Sequence, residues 1–419
     1  MSRILSSKSF LKHGLALAVT TVLMTSANAA TDAEVQQLRE EVQALKALIQ
    51  QQQQVRLVES SAQPAASTSP ISALKSKNGA NINIYGFVRG DANYIIEGAD
   101  DDFNAVSKVG GAGTTDPASI KDKLRATAKT TRIGLDFDTP VGDAKVGGKV
   151  EVDFAGNGAN ENLRIRHAYL TYNNWLFGQT TSNFLAGHAP EMIDFNTNAG
   201  GGTTRIPQVR YNYKFGPSTQ LFVSAEEGNS TGDSIKYSLP VLTAKVVQGF
   251  ADGRGSASGR VLVENYKSEK ADDNQTGWGV AAGVDFKVAD PLKLFADASY
   301  VVGNSNYLYG SNSAYTIVGN DIEQNEFAAV QVGGTYKILP NLRTTLAYGA
   351  LFADDGTEYA KAKANTGANE KVQQAWLNVI YSPAKPIDLG VEYINGKRET
   401  FAGQSFKDNR VGLMAKYNF

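Results

Sequence analysis

Arg164 and Arg166 stand two residues apart in a segment that reads as a β-strand. A guanidinium presents parallel N–H donors that can hold a carboxylate through two hydrogen bonds. At a rise of about 3.4 Å per residue, the two side chains would lie roughly 7 Å apart on one strand face, which suits the carboxylates of a short diacid. The alternative is that both arginines pair with Glu151 or Asp153 across a wall and stiffen it. Either chemistry requires an element that aims both side chains at one polar face.

The C-terminal segment shows the kind of strand that does this. One face is apolar and carries Val411, Leu413, Ala415, Tyr417 and Phe419; the other carries Arg410, Lys416 and Asn418. An edge strand of a soluble sheet could show this pattern. A closed barrel in a membrane needs it, because the barrel satisfies every backbone hydrogen bond and exposes apolar side chains at every second position.

The same alternation recurs from about residue 80 onward in runs of roughly ten residues. Turn dipeptides mark the short connections, which we expect on the periplasmic side: 139–143, 173–174, 216–217, 239–240, 289–291, 339–340 and 382–383. Longer polar stretches alternate with them and are expected to face outward: 98–123, 186–204, 304–321 and 355–369. The sequence therefore predicts an all-β, antiparallel transmembrane barrel over residues 80–419.

The predicted number of strands depends on the assignment of one segment. A direct count gives seventeen because Val261 to Tyr266 resembles a strand, but closure with both termini on one side demands an even number. We assign Val261 to Tyr266 to a long extracellular loop and predict sixteen strands. The alternation slips after Arg166, and both faces are apolar around Val372 to Tyr381; contact with a neighbouring barrel or a β-bulge would explain either.

The N-terminus predicts export. Basic residues precede the apolar stretch Gly14 to Met24, and Ala27-Asn28-Ala29 fits a signal-peptidase site, so residues 1–29 are predicted to be a signal peptide. No other segment approaches the roughly 20 apolar residues of a transmembrane helix. The chain has no cysteine, which excludes a disulfide framework and a thiolate metal site.

Residues 30–58 predict a short coiled-coil oligomerisation helix in the periplasm. Its heptad seam is formed by Val35, Leu38, Val42, Leu45 and Ile49. β-Branched a positions with Leu at d favour a dimer, so a three-stranded assembly would have to be imposed by the rest of the chain. A solvated lone helix or a Gln-rich spacer is the alternative. Residues 59–79, rich in Ser, Ala and Pro, predict a flexible linker.

A channel of this kind needs a constriction, and the candidate is the loop 186–204 folding inward. It carries Glu191, Asp194 and the run Gly200-Gly201-Gly202, whose glycines let the backbone reverse beside a wall. The predicted pore residues are Arg132, Arg164, Arg166, Arg210, Lys214, Arg343, Glu191 and Asp194. Inward cations outnumber inward acids although the net charge is only -1, so the lumen should concentrate anions.

The chain also resembles a known family. The combination of the heptad N-terminus with the stretches 82–87, 164–169 and 178–184 is similar to the DcaP-like trimeric outer-membrane porins. The resemblance spans nearly the whole mature chain. It implies a homotrimer of sixteen-stranded barrels in an outer membrane, with a coiled coil in the periplasm. It also implies that small anions such as dicarboxylates diffuse through the barrels. It also implies that Leu413, Tyr417 and Phe419 form the signal read by the barrel-assembly machinery.

Other functions remain as alternatives. An enzyme is not expected, since the chain has only three histidines, one in the signal peptide, and no nucleophile or metal-ligand motif accompanies them. No cofactor, metal or nucleic-acid partner is predicted. A phosphate-selective channel, a general porin and a structural or adhesive barrel are the remaining candidates; competition between phosphate and diacids would separate the first from a dicarboxylate channel.

Overall fold

A computed structural model describes residues 74–77, 79–110, 121–156, 162–194, 198–228 and 235–419. The predicted signal peptide, the coiled-coil helix with its seam, and residues 59–73 of the linker lie outside the described residues. Within the predicted linker, Leu74–Lys75 form a short strand, β1, with Leu74 opposite Ile82.

The described residues are almost entirely strands and loops. The strands are β1 (Leu74–Lys75), β2 (Asn81–Glu97), β3 (Lys123–Thr127), β4 (Arg132–Val141), β5 (Ala144–Asp153), β6 (Arg164–Tyr172), β7 (Trp175–Thr181), β8 (Arg205–Lys214), β9 (Thr219–Glu226), β10 (Ile235–Lys236), β11 (Val241–Phe250), β12 (Gly255–Ser268), β13 (Asp273–Ala289), β14 (Leu292–Val302), β15 (Tyr315–Val318), β16 (Asp321–Gln324), β17 (Glu326–Leu339), β18 (Leu342–Ala353), β19 (Asn369–Ala384), β20 (Ile387–Thr400) and β21 (Ser405–Asn418). One short helix, α1 (Glu358–Lys361), and 3₁₀ turns at Val106–Lys108, Ala251–Gly253 and Lys363–Asn365 accompany them. No helix in the described ranges is long and apolar enough to span a membrane.

The strands close into an antiparallel barrel. Neighbours along the chain pair in turn, and β2 pairs with β21, Phe87 lying opposite Asn418. β3 and β4 share one position beside β2, β1 and β10 are two-residue additions, and β15 and β16 form a separate hairpin. The wall therefore has sixteen strands, and the predicted all-β barrel is confirmed.

The two ends of the barrel differ, but two local predictions about them are wrong. Short turns lie at one end, here called the turn end, and longer connections lie at the loop end. Val261 to Tyr266 is not a loop; it belongs to β12, paired with β11 and β13. Leu239-Pro240 is not a turn-end connection; it closes the loop before β11 at the loop end. The turn lies at 251–254 instead, so the two errors cancelled in the count.

The two irregular strands have different causes. On β6 a register shift places His167 opposite Glu151 and Ile165 opposite Val152, so the slip after Arg166 is a bulge. On β19 the inward apolar residues pack against inward-folded loops: Val372 with Val106, Trp376 with Met192, and Ile380 with Ile193. A neighbouring barrel is therefore not needed to explain this strand.

The C-terminus completes the closure. Phe419 exchanges both backbone hydrogen bonds with Gly86, at 3.0 and 3.1 Å. A Cβ on Gly86 would lie 2.8 Å from the Phe419 ring, so glycine leaves room for it. Leu413, Tyr417 and Phe419 are all exposed on the outer face.

Candidate functional site

The loop 182–204, here called the constriction loop, crosses the lumen to the opposite wall. Glu191 accepts two hydrogen bonds from Arg343 on β18, at 2.7 and 2.8 Å. Glu392 on β20 accepts the backbone N–H groups of Ile193 and Asp194, each at 2.9 Å. Charged acceptors of backbone N–H groups form strong hydrogen bonds. They hold the middle of this loop against β18–β20.

The glycines in and around the loop permit close backbone contact. A Cβ on Gly200 would lie 1.9 Å from the carbonyl oxygen of Val330 on β17, and Gly200 has φ +80°. A Cβ on Gly349 of β18 would lie 1.7 Å from the carbonyl oxygen of Ala199. The loop can therefore lie directly on β17 and β18, as its glycines predicted.

Two further loops turn inward and contact the constriction loop. The N–H of Asn104, in the loop after β2, donates to Asp194 at 2.6 Å. Tyr309, in the loop after β14, donates its N–H to the Gly201 carbonyl at 2.8 Å. Asp194 is only 3% exposed. It therefore holds two loops together instead of facing the open lumen, whereas the sequence pattern predicted it beside Glu191 at the pore surface.

Three of the predicted arginines lie on one part of the wall, here called the paired wall. Arg164 donates to Asp153 at 2.6 and 2.9 Å. Arg166 bridges Glu151 and Asp153, at 2.8 Å to each, and the Arg132 Nε lies 3.3 Å from Glu151. The guanidinium groups of Arg164 and Arg166 thus already hold wall carboxylates, which is the second of the two arrangements considered from sequence.

A different part of the wall carries cations with fewer acidic partners. This basic wall consists of Arg210 on β8, Lys245 on β11 and Arg260 on β12. Lys245 lies directly opposite both Arg260 and Phe222 of β9 in the strand register. The Phe222 ring centroid is 5.7 Å from the Arg210 guanidinium and 5.1 Å from the Lys245 ammonium. An aromatic ring thus separates the two cations by a cation–π contact on each side.

The hydrogen bonds of the basic wall leave donors available. Arg210 donates to Asn183 at 3.2 Å, and no carboxylate in the described ranges forms an ion pair with Arg210 or Lys245. Arg260 pairs with Asp297 at 2.7 Å through one nitrogen, while its Nε and Nη1 are buried without a hydrogen-bond partner among the described residues. The three side chains are largely buried, with exposed fractions of 8% for Arg210, 6% for Lys245 and 3% for Arg260, so an anion in this part of the lumen would be attracted by their charge through the wall.

The remaining predicted residue and several missed ones complete the lumen. Lys214 is exposed at the turn end of β8. The sequence pattern did not single out the inward Arg89, Arg260 and Arg398, nor the inward acids Asp91, Glu264, Asp388, Glu392 and Asp408. Alternation on β2 could have identified Arg89 and Asp91, which pair with each other at 2.6 Å. Arg260 was missed because its strand was read as a loop.

The family assignment rests on a match over most of the sequence. The family model described as DcaP outer membrane protein matches residues 23–419. The chain belongs to the DcaP outer membrane protein family. The predicted family is therefore confirmed, together with an outer-membrane location and a channel of the porin type.

Solved structures agree with this assignment. The outer membrane channel DcaP of Acinetobacter baumannii is 74% identical over 83% of this chain and 100% of its own, with a TM-score of 0.79. The anion-selective porin of Comamonas acidovorans is 12% identical over 81% of this chain and 100% of its own, with a TM-score of 0.54. OmpT of Vibrio cholerae is 17% identical over 83% of this chain and 100% of its own, with a TM-score of 0.53. The similarity of this chain to the last two porins shows the fold alone. No curated protein matches this chain.

Proposed function

We propose that this DcaP family channel lets small anionic solutes, in particular dicarboxylates, diffuse across the outer membrane. The observation that carries the proposal is the basic wall. Arg210 and Lys245 form no ion pair in the described ranges, and Arg260 keeps two buried N–H groups without a partner there; all three side chains are largely buried in the wall, so their charge acts on the lumen through the electric field. In a narrow, low-dielectric passage these charges concentrate anions and repel cations.

The constriction loop would bring solutes close to these cations. Asn183, near its start, is hydrogen-bonded to Arg210, so the loop begins beside the basic wall before it crosses to β18. A dicarboxylate passing this wall would be attracted by the charges of Lys245 and Arg260, although both side chains are largely buried. Binding has to stay weak, because a tightly held dianion would block conduction. The expected result is partial selectivity for anions.

The paired wall has a secondary role in this proposal. Arg164 and Arg166 could hold a diacid only by exchanging Asp153 or Glu151 for a solute carboxylate. Because these pairs are closely hydrogen-bonded, we infer that they mainly fix the shape of the wall between β4 and β6. Arg343 is similarly occupied by Glu191.

Assembly belongs to the same proposal. We propose a homotrimer whose residues 30–58 form a periplasmic coiled coil after removal of residues 1–29, with 59–79 as linker. Leu413, Tyr417 and Phe419 would be recognised by the barrel-assembly machinery; all three lie exposed on the last strand. Deleting Phe419 should then lower the yield of folded barrel without changing the conductance of the channels that do form.

The test is a planar-bilayer measurement on the mature protein. The reversal potential in a KCl gradient should show anion selectivity, and conductance should appear in three steps that succinate blocks. Stronger block by phosphate than by succinate would favour a phosphate channel. Equal permeability to both ions would favour a general porin, and the absence of conductance would favour a structural barrel.

A further inference from the structure

The outer surface of the barrel carries a lysine cluster at the loop end. Lys397 on β20 lies directly opposite Lys407 on β21. Their neighbours Arg398 and Phe406 contact each other on the other side of the sheet, with the guanidinium 5.7 Å from the ring centroid. Because side chains alternate along a strand, Lys397 and Lys407 both project from the outer face.

The neighbouring strand adds a third lysine. Lys371 on β19 lies opposite Glu399 and over the ring of the outward Phe352, with its Nζ 5.4 Å from the ring centroid. Lys397 forms an ion pair with Glu399. Lys407 is exposed and forms no ion pair with any residue of the described ranges. Glu399 neutralises part of this charge, but Lys407 keeps no acidic partner in the described ranges and lies opposite Lys397; because like charges placed opposite one another destabilise a sheet, a further anion would stabilise this pair.

The cluster stands just above the apolar band. Tyr393, Val391 and Leu413 are exposed on the outer faces of β20 and β21. Above them Asn395 donates to Asn409 at 2.7 Å, directly opposite in the register. Lys397 and Lys407 lie two residues farther along each strand, roughly 7 Å toward the loop end. Polar rows beyond the apolar band of a barrel lie at the level of lipid headgroups.

We propose that Lys371, Lys397 and Lys407 bind a phosphate group of a phosphorylated glycolipid in the outer leaflet. A lysine ammonium acts as a point charge that binds phosphate well, and Lys397 and Lys407 lie on facing positions of adjacent strands, with Lys371 on the next strand beyond Glu399. The exposed apolar residues below would contact the acyl chains of the same lipid. The proposal uses the outer-membrane location of the family and places the loop end outward; it does not depend on what permeates the lumen.

The test compares lipid binding by matched variants of the full mature protein. Native mass spectrometry in mild detergent would count molecules of bisphosphorylated lipid A bound per chain, with chemically dephosphorylated lipid A as the comparison lipid. The variant is Lys397→Gln with Lys407→Gln. The control is Lys385→Gln, in the exposed turn at the other end of the same β19–β20 hairpin. Lys397→Arg with Lys407→Arg tests whether charge alone suffices.

The proposal predicts that the double Gln variant binds the phosphorylated lipid at least tenfold more weakly, while the control and the Arg variant bind like the wild type. Dephosphorylated lipid should bind all four proteins weakly and equally. Equal binding of the phosphorylated lipid by the double Gln variant and the wild type would overturn the proposal. So would a change in oligomeric state with lipid binding unchanged, which would indicate that the lysines contact a second copy of the chain. Conductance and reversal potential should be the same in all variants, which separates this test from that of the transport proposal.

Discussion

The paired wall and the basic wall contain the same kinds of cation but differ in what neutralises them. On β4–β6, Arg164 and Arg166 hold Glu151 and Asp153 at hydrogen-bond distance. On β8–β12, Arg210 and Lys245 form no ion pair in the described ranges; the buried Glu226 acts on both only at longer range, and the Phe222 ring contacts both cations. The comparison shows that a count of inward cations overstates the charge available to a solute. Pairing within the wall decides which cations act on the lumen.

The largest expected effect comes from releasing the constriction loop. Glu392→Gln removes the charge that accepts the N–H groups of Ile193 and Asp194. Hydrogen bonds to a charged group contribute about 1.5–3 kcal/mol each, so the loop should become mobile. We expect larger single-channel conductance, more open-channel noise and weaker selectivity. Glu399→Gln, on the outer face of the same strand, is the control; unchanged conductance and noise in Glu392→Gln would contradict the anchoring role.

Removing an arginine from the paired wall should affect stability more than transport. Arg166→Ala leaves Glu151 and Asp153 without one of their buried partners, and breaking a buried ion pair costs about 3 kcal/mol. Thermal unfolding should occur at a lower temperature, while succinate block stays within about twofold of wild type. If block disappears and thermal stability does not change, Arg166 binds the solute directly.

Removing the carboxylate of Glu191 should free the charge of Arg343 to act on the lumen. Glu191→Gln leaves Arg343 with only Asp388, 3.9 Å away, as an acidic neighbour among the described residues. One added effective charge about 8 Å from a permeating ion stabilises an anion by about 0.5 kcal/mol in water and destabilises a cation by the same amount, or roughly a sixfold rise in the anion-to-cation permeability ratio. Reversal potentials would measure it. Asp194→Asn should leave the ratio unchanged because Asp194 is buried; an equal effect of both variants would contradict this distinction.

The smallest expected effect is a pH dependence of channel noise that arises from the inward loop after β2. Hydrogen bonding from Lys123 keeps the pKa of Asp100 below its usual value. Burial alone would raise the pKa of Asp102, but hydrogen bonds from Lys129 and Arg125 outweigh it and lower the pKa. Because both pKa values are depressed in the folded state, the anchoring is complete above about pH 4 and is lost as the pH falls further. Channel noise should be constant from pH 7 to 5 and rise only below about pH 4, whereas Asp102→Asn should be noisy throughout. A noise increase already at pH 5 would contradict the anchoring of this loop by Asp100 and Asp102.

The fold was largely predictable because alternation is a direct consequence of placing a strand between lipid and water. The barrel and its outward C-terminal face could be inferred from that pattern, which also offered a bulge as one of two explanations for β6; the count of sixteen was right because two errors cancelled. β12 was missed because its preceding turn has neither the proline found in most of the other predicted turns nor a pair such as Asn173-Asn174. Ala251 and Asp252 adopt positive φ before Gly253, and this Asp-Gly pair was the overlooked turn signal.

The site was less predictable because charge pairing depends on register. The sequence places Arg166 and Asp153 on inward faces, but only the bulge in β6 determines that they meet. The apolar inward side chains Val372 and Trp376 could be explained only once the loops covering them were known. Lys245 looked like one cation among many; its lack of an acidic partner is a property of four neighbouring strands, which no local pattern reveals.

The most direct test compares reversal potentials of two double variants in a KCl gradient. Arg210→Gln with Lys245→Gln removes two cations that form no ion pair in the described ranges, whereas Arg166→Gln with Glu151→Gln removes an ion pair and preserves net charge. Two charges about 8 Å from the ion path stabilise an anion by about 1 kcal/mol and destabilise a cation by the same amount, so the first variant should lose up to roughly thirtyfold in anion-to-cation permeability ratio and the second should match the wild type. Loss of selectivity in the second variant but not in the first would contradict the account.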